Sequence, residues 1–261
     1  MHGKDCAIAA APEAVSRTSE RAMTTSETDG SGELRIAYCF ADYGVEAEAL
    51  STIGEVHRFT IDPVDNPWCA TTREVDLMEE TPEGHFDLWF GHPMCTRYSD
   101  MPSVDPEEHV DQIPRARELA QQMADHYVIE NKPRAPLESP TYLTGQMFNL
   151  PITYERAFET SFDLRQPPRQ STFGSEDSQT SPFFFSERSL AWWKTIKGIR
   201  GRYPKEHVAK NALPLAYVDY ITRNYLEQTG GAAGVRDYSN YDEEMDTRRA
   251  LNDNSTLDEF L

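Results

Sequence analysis

The stretch Asp87-Leu-Trp-Phe-Gly-His-Pro-Met-Cys95 runs from apolar residues into a thiol. Gly91 permits a sharp turn there and Pro93 stiffens it. A cysteine held still on an exposed loop suits a nucleophile, because the thiolate is the reactive form and needs access. A lone Cys is more often a small buried residue in a loop, and the flanking pattern is what favours the nucleophile. Glu130 ends the run Tyr127-Val-Ile and precedes Asn131. A carboxyl there can give a proton to a bound heterocycle or hold its ring nitrogen, and a solvated strand-end acid is the plainer reading. Asp62 follows Gly44 by about 18 to 20 residues, the interval at which an acid takes a ribose hydroxyl. Asp76 comes next and could meet an adenine amine. His92 adjoins the cysteine loop, but no second His or Cys stands at ligand spacing, so no metal is expected.

These residues need a scaffold that brings strand ends together. Leu34–Phe40 is a short apolar run typical of a buried parallel strand, Val45–Ile53 a short helix, and Val56–Ile61 a second strand stopped by Asp62-Pro63. Glu74–Leu77 reads as an edge strand, Phe86–Phe90 as a fourth strand, Pro114–Asp125 as an amphipathic helix and Tyr127–Glu130 as a fifth strand. This alternation predicts an α/β fold with a doubly wound, mostly parallel sheet, in which ligands bind at the carboxyl ends of the strands. Every polar residue named above is expected just after a strand. Residues 131–205 are rich in Pro, Gln, Ser and aromatics and are expected to be irregular or a small insert, followed by a last helix, Leu213–Glu227.

Residues 1–33 lack periodicity and read as a disordered N-terminal segment, and 230–261 as an acidic tail. The domain proper is expected over 34–229. No apolar run approaches the roughly 18 residues of a membrane span. Cys6, Cys39, Cys69 and Cys95 form no CxxC pair, which fits reduced thiols in a cytoplasm.

The formal charge is −19, with 44 Asp and Glu against 25 Lys and Arg. Lys is scarce among the bases. That composition suits a protein working in concentrated salt, where the screening length falls to about 3 Å at 1 M. It points to a halophilic host or its virus. It argues against a nucleic-acid partner only in dilute buffer, since counterion release contributes little in molar salt.

The order and spacing of the motifs resemble the DNA cytosine-5 methyltransferases. Asp87 to Cys95 is similar to that family's strand and Pro-Cys loop, and the His-Pro-x-Cys-Thr form is closest to a small phage- or archaeal-virus-type branch. Glu130-Asn131 resembles the Glu-Asn-Val motif. Phe40-Ala41-Asp42-Tyr43-Gly44 resembles the Phe-x-Gly-x-Gly cofactor loop, and Asp62 and Asp76 fall where the next two cofactor motifs fall. Lys210-Asn211-Ala212-Leu213-Pro214 resembles Gly-Asn-Ala-Val-Pro. The resemblance spans about residues 34–227. It departs at Asp42, where the family has Gly, at Met94, where a second Pro is usual, and at Lys210, which replaces a Gly.

The resemblance implies a Rossmann-like methyltransferase fold with S-adenosylmethionine (SAM) held by Phe40, Asp42, Gly44, Asp62, Asp76, Asp87, Pro93 and Asn211. It implies a Cys95 thiolate that adds to carbon 6 of a flipped cytosine, with Glu130 at ring nitrogen 3. The family's Arg-x-Arg pair has only Arg165 and Arg169 as candidates here, split by Pro167-Pro168; Arg169 is assigned the base contact. A target-recognition region is expected at about 133–205, with Arg165, Arg169, Arg188, Arg200 and Arg202 as contacts. Trp192-Trp193 and Phe183-Phe184-Phe185 are assigned to packing. The implied partner is double-stranded DNA, in a monomer, with a role such as protecting viral DNA from restriction. Three rivals stand beside it: a cytosine-5 methyltransferase of RNA, a degenerate relative that binds DNA or cofactor without turnover, and an unrelated Rossmann-like nucleotide enzyme. The last would leave Cys95, Glu130 and Asn211 scattered rather than in one cleft.

Overall fold

The computed structural model describes residues 33–99, 102–168 and 187–230. The expected disordered start, the acidic tail beyond Gly230, Cys6, Phe183–Phe185 and Arg169 lie outside the described residues.

Seven strands form one sheet in the order β3-β2-β1-β4-β5-β7-β6. They are β1 (Leu34–Cys39), β2 (Gly54–Thr60), β3 (Thr71–Glu74), β4 (Phe86–Gly91), β5 (Ala124–Asn131), β6 (Thr141–Leu143) and β7 (Arg156–Thr160). β3, β2, β1, β4 and β5 are parallel, while β7 runs antiparallel to both β5 and β6. The helices are α1 (Ala47–Leu50), α2 (Ile113–Met123), α3 (Leu190–Lys197), α4 (Lys205–Lys210) and α5 (Leu215–Thr229).

The period of two along each strand sends alternate side chains to opposite cores. Ile36, Tyr38, Leu88, Phe90, Val128 and Phe158 pack on one face with residues of α1, α3, α4 and α5. Ala37, Cys39, Trp89, Ile129 and Ala157 face the other way, against α2. The sheet is therefore doubly wound and Rossmann-like. α2 buries Ile113, Ala116, Leu119, Ala120 and Met123, a stripe at helical spacing. Its larger side chains each contribute about 1.5–3 kcal/mol by burial.

The central strands fall where the apolar runs predicted, with ends displaced by a few residues. Three readings change. The edge strand is Thr71–Glu74, so Val75, Asp76 and Leu77 follow it rather than belong to it. The short helix expected over Val45–Ile53 is regular only at Ala47–Leu50. The stretch expected to be irregular, 131–205, carries β6 and β7, which complete the sheet, together with α3. β7 reads Arg-Ala-Phe-Glu-Thr and looks polar because it buries two charges. Glu159, 1% exposed, is held on the α2 side by Arg117, and Arg156 is held on the other face by Glu130.

Candidate active site

Strand pairing alone brings the chemistry together. Tyr38 lies beside Phe90, and Phe90 beside Val128. All three point to the face covered by α1 and α5. Two residues further along each strand, on the same face and at the carboxyl ends, stand His92 and Glu130. The His92 amide continues the β1–β4 pairing by donating to the Cys39 carbonyl at 3.2 Å. Glu130 is paired with Phe158 across the antiparallel β5–β7 edge, so Arg156, two residues from Phe158, reaches the same row.

The result is a buried chain of charges. The Arg156 Nε donates to Glu130 Oε1. His92 Nδ1 lies 2.8 Å from Glu130 Oε2. The other ring nitrogen, Nε2, faces Glu46 Oε2 at 3.5 Å, an ion-pair distance that is long for a hydrogen bond. Glu46 also accepts from the Tyr38 hydroxyl and, at 2.6 Å, from the Leu213 amide. Burial by itself would push the Glu130 carboxyl up, but the Arg156 charge and the His92 hydrogen bond outweigh it and hold the group at about 2. Burial likewise works against a charged His92, and the Glu46 and Glu130 carboxylates overcome it, so its pKa is raised. Arg156 is held charged against burial by Glu130 foremost, with Tyr154 and Cys95 adding to it. Glu130 is therefore an anion in neutral solution. Of the two roles open to it, holding a ring proton fits better than supplying one of its own.

Cys95 precedes a 3-10 turn over Thr96–Tyr98 and is half-buried. Its loop is tied from both sides. Asn131 Nδ2 donates to the Pro93 carbonyl at 2.8 Å, and the Met94 amide donates to Gln112 Oε1 at 2.7 Å. Gln112 thus supplies part of the rigidity that a second proline would give. Beyond the thiol, Arg97 gathers the loop by donating to the Pro106 and His109 carbonyls at 2.8 and 2.7 Å.

The other end of the site is shaped by the loops after β1 and β2. Arg58, fully buried, donates to the carbonyls of Ala41, Asp42 and Val64 and so clamps both loops. Asn66 Nδ2 donates to the Tyr43 and Gly44 carbonyls at 3.0 and 2.8 Å. Gly44 has φ +72°, and a Cβ there would lie 2.8 Å from Asn66 Nδ2, so both conformation and space call for glycine. Phe40 also has positive φ, 51°.

A cleft of about 430 Å³ joins the two ends. Cys95, Glu130, Phe40, Asp42, Gly44, Asp62, Asp76, Pro93 and Asn211 all line it. The scatter expected of an unrelated nucleotide enzyme is absent for Cys95, Glu130 and Asn211. Asp87 is elsewhere. It stands near the start of β4, the opposite end of the sheet, where its carboxylate accepts from the Arg35 amide at 2.7 Å. The resemblance put it among the cofactor residues, and it does not line the cleft. Arg165 is also away from the cleft lining; its side chain is exposed, 3.4 Å from Asp163.

Arg156, Glu46, Tyr38 and His207 line the cleft and were not foreseen. The sequence signal for Arg156 is faint: a single Arg before Ala-Phe-Glu-Thr, with no second Arg two residues away. Asn211 caps the end of α4, and Pro214, at the end of the same motif, is the N-cap of the last helix, α5. The adjoining backbone is held by Tyr154, whose hydroxyl donates to the Lys210 carbonyl at 2.8 Å, and by buried Lys197, which donates to the Ala209 and Ala212 carbonyls at 2.9 and 2.6 Å. Among the described residues no group of three or more His, Cys, Asp or Glu could hold a metal, and no helix is long and apolar enough to cross a membrane.

No protein-family model matches the sequence, and no curated protein does. Among solved structures, protein 1320 of Thermoplasma acidophilum is 14% identical over 49% of this chain and 74% of its own, with a TM-score of 0.33. DhpI in complex with SAH is 14% identical over 54% of this chain and 65% of its own, with a TM-score of 0.28. DhpI with SAM and HEP is 13% identical over 54% of this chain and 68% of its own, with a TM-score of 0.27. Overlaps this partial do not assign the chain to a family.

Proposed function

We propose that the protein transfers a methyl group from SAM to carbon 5 of cytosine in DNA, with Cys95 as the nucleophile. The observation that carries this reading is that one cleft holds the Cys95 thiol, the buried Glu130–Arg156 pair and the clamped loops after β1 and β2.

The cofactor fits the second end of the cleft on the residues present. The Asp62 and Asp76 carboxylates follow β2 and β3, as ribose and amine acceptors would. Gly44 lets a ligand approach the backbone. Ile61, 64% exposed yet lining the cleft, offers an apolar face to a purine. When bound, SAM supplies an electrophilic methyl group. Asp42 does not obstruct this end by its backbone, since its carbonyl is turned to Arg58.

The protein's own residues do the rest. The Cys95 sulfur forms a bond to carbon 6 of the ring, and the displaced π electrons make carbon 5 nucleophilic. Glu130 holds the proton on ring nitrogen 3, and Arg156, which lines the cleft beside it, serves as donor to the ring carbonyl. After carbon 5 is methylated, a base removes its proton. The electrons of that C–H bond restore the ring enamine, and those of the S–C6 bond then return to sulfur. A base inside a duplex must leave the stack, at a cost of a few kcal/mol.

The test is transfer of labelled methyl to unmethylated duplex DNA in high salt, beside Cys95→Ser. Transfer that disappears in the variant supports the reading. Trapping strengthens it: with fluorine at carbon 5 no proton can be lost, so a covalent protein–DNA adduct should accumulate only with the thiol present. Label that enters tRNA but not DNA would replace the substrate class. SAM binding without transfer to either would leave the degenerate relative.

A further inference from the structure

That reading gives no role to His92, which also lines the cleft. His92 lies between two buried carboxylates, Nδ1 at 2.8 Å from Glu130 and Nε2 at 3.5 Å from Glu46. The Glu130 carboxylate already has Arg156 as a counterion. With both carboxylates ionised, the formal charges of Glu46, Glu130, Arg156 and His92 cancel only if the imidazole carries its second proton.

From this arrangement we infer that His92 is a positioning residue that stores the proton used at ring nitrogen 3 and passes it through Glu130. The inference deepens the proposed function and rests on it.

The proton and charge balance close. As the Cys95 thiolate forms its bond to carbon 6, the Glu130 carboxylate takes the Nδ1 proton of His92 and gives one to nitrogen 3. The thiolate's negative charge and the imidazolium's positive charge both disappear, and the ring adduct is neutral. When the thiolate leaves at the end, nitrogen 3 returns its proton along the same path. The proton lost from carbon 5 goes to solvent, so each turnover exchanges one methyl for one proton. His92 is partly buried in the cleft wall, its Nε2 is shut off from solvent and its Nδ1 lies on the Glu130 carboxylate, so the short path for its proton runs through Glu130. The titratable and charged groups facing it are Tyr38 from β1, Glu46 at the entry to α1, Glu130 from β5, Arg156 from β7 and His207 from α4. The carboxylates raise its affinity for a proton, and burial with Arg156 opposes them.

Wild-type kcat should then fall on the alkaline side as His92 loses its proton, at a pH above the usual histidine range. His92→Asn keeps a donor near the Nδ1 position but stores no proton. It should lower kcat on the order of 10²-fold with little change in KM for DNA, and the alkaline limb should vanish. Glu46→Gln keeps an acceptor for the Leu213 amide and should move the limb to lower pH. Histidine NMR titration of the unliganded protein gives a readout apart from activity, with the His92 midpoint above normal in the wild type and lower in Glu46→Gln. An active wild type whose pH profile is unchanged in His92→Asn overturns the inference alone, as does a His92 that is neutral at pH 6. A wild type that binds SAM and methylates nothing overturns the reading beneath it, while the NMR midpoint still reports the imidazolium.

Discussion

Replacing Arg156 by Met tests the electrostatic account of the site directly. The pair is buried, with Arg156 6% and Glu130 1% exposed. Breaking such a pair by removing one partner costs about 3–5 kcal/mol, because a carboxylate is left without its counterion. A second route gives the same scale. Glu130 is held at about 2 against an ordinary 4.5 by Arg156 and His92 together, net of burial, so on the order of 3 kcal/mol at 1.36 kcal/mol per unit is shared between the two cations. For a domain of this size the melting temperature should drop by roughly 6–20 °C.

The pH dependence has a definite sign. A carboxylate with a depressed pKa contributes stability that is fully present above its unfolded pKa. That contribution is lost as pH falls from about 4.5 toward 2. In Arg156→Met the carboxyls of Glu46 and Glu130 with His92 keep a net negative charge, so the variant gains by taking up a proton. The gap between wild type and variant should therefore be widest near pH 8 and narrow steadily on acidification. Thermal melts of both proteins from pH 8 to pH 4 measure it, at fixed high salt. The gap should survive about 1 M salt, since buried pairs are screened far less than exposed ones. Adding Glu130→Leu to Arg156→Met should restore more than half of the loss. A gap that stays constant across that pH range, or a double variant no more stable than the single one, would refute the reasoning.

Three other outcomes are expected. Cys95→Ser should remove methyl transfer and adduct trapping together, by at least roughly 10³-fold, with a stability change within about 1 kcal/mol, read from initial rates and thermal melts. Gly44→Ala must take φ +72° and crowd Asn66 Nδ2, so it should cost about 1–3 kcal/mol and weaken SAM binding measured by calorimetry. Arg58→Lys should not rescue the loop clamp, because one ammonium cannot reach the carbonyls that the fork spans; a loss of about 2–4 kcal/mol is expected, and unchanged denaturation would count against the clamp.

The parallel half of the fold was legible because its strands are buried on both faces. Leu34–Cys39 and Phe86–Gly91 are short apolar runs ended by turn residues, and nothing competes with that pattern. The antiparallel edge was not legible for the opposite reason. β6 has three residues, and β7 buries an Arg and a Glu on opposite faces, each neutralised from elsewhere in the chain. Its alternation is visible only once Arg117 and Glu130 are known to be there. Asp87 misled in a different way: the motif resemblance put it among the cofactor residues, although its strand begins at Phe86 and so leaves it at the far end of the sheet.

The same contrast governs the site. Cys95, Glu130 and the acids after β2 and β3 follow strands whose ends can be read, so the sheet delivers them to one cleft. Arg156 opens a strand whose direction is reversed. Its side chain reaches the cleft because an antiparallel strand begins where parallel strands end. Searching the sequence for an Arg-x-Arg pair leads past it to Arg165 and Arg169. Glu46 and His92 were hidden differently. Each looks like an isolated polar residue near a loop, and only the pairing of β1, β4 and β5 shows that one imidazole spans two carboxylates. Burial makes that arrangement costly unless every charge is matched. A network retained at such cost, beside the carboxylate assigned to the base, is a better guide to chemistry here than any single motif.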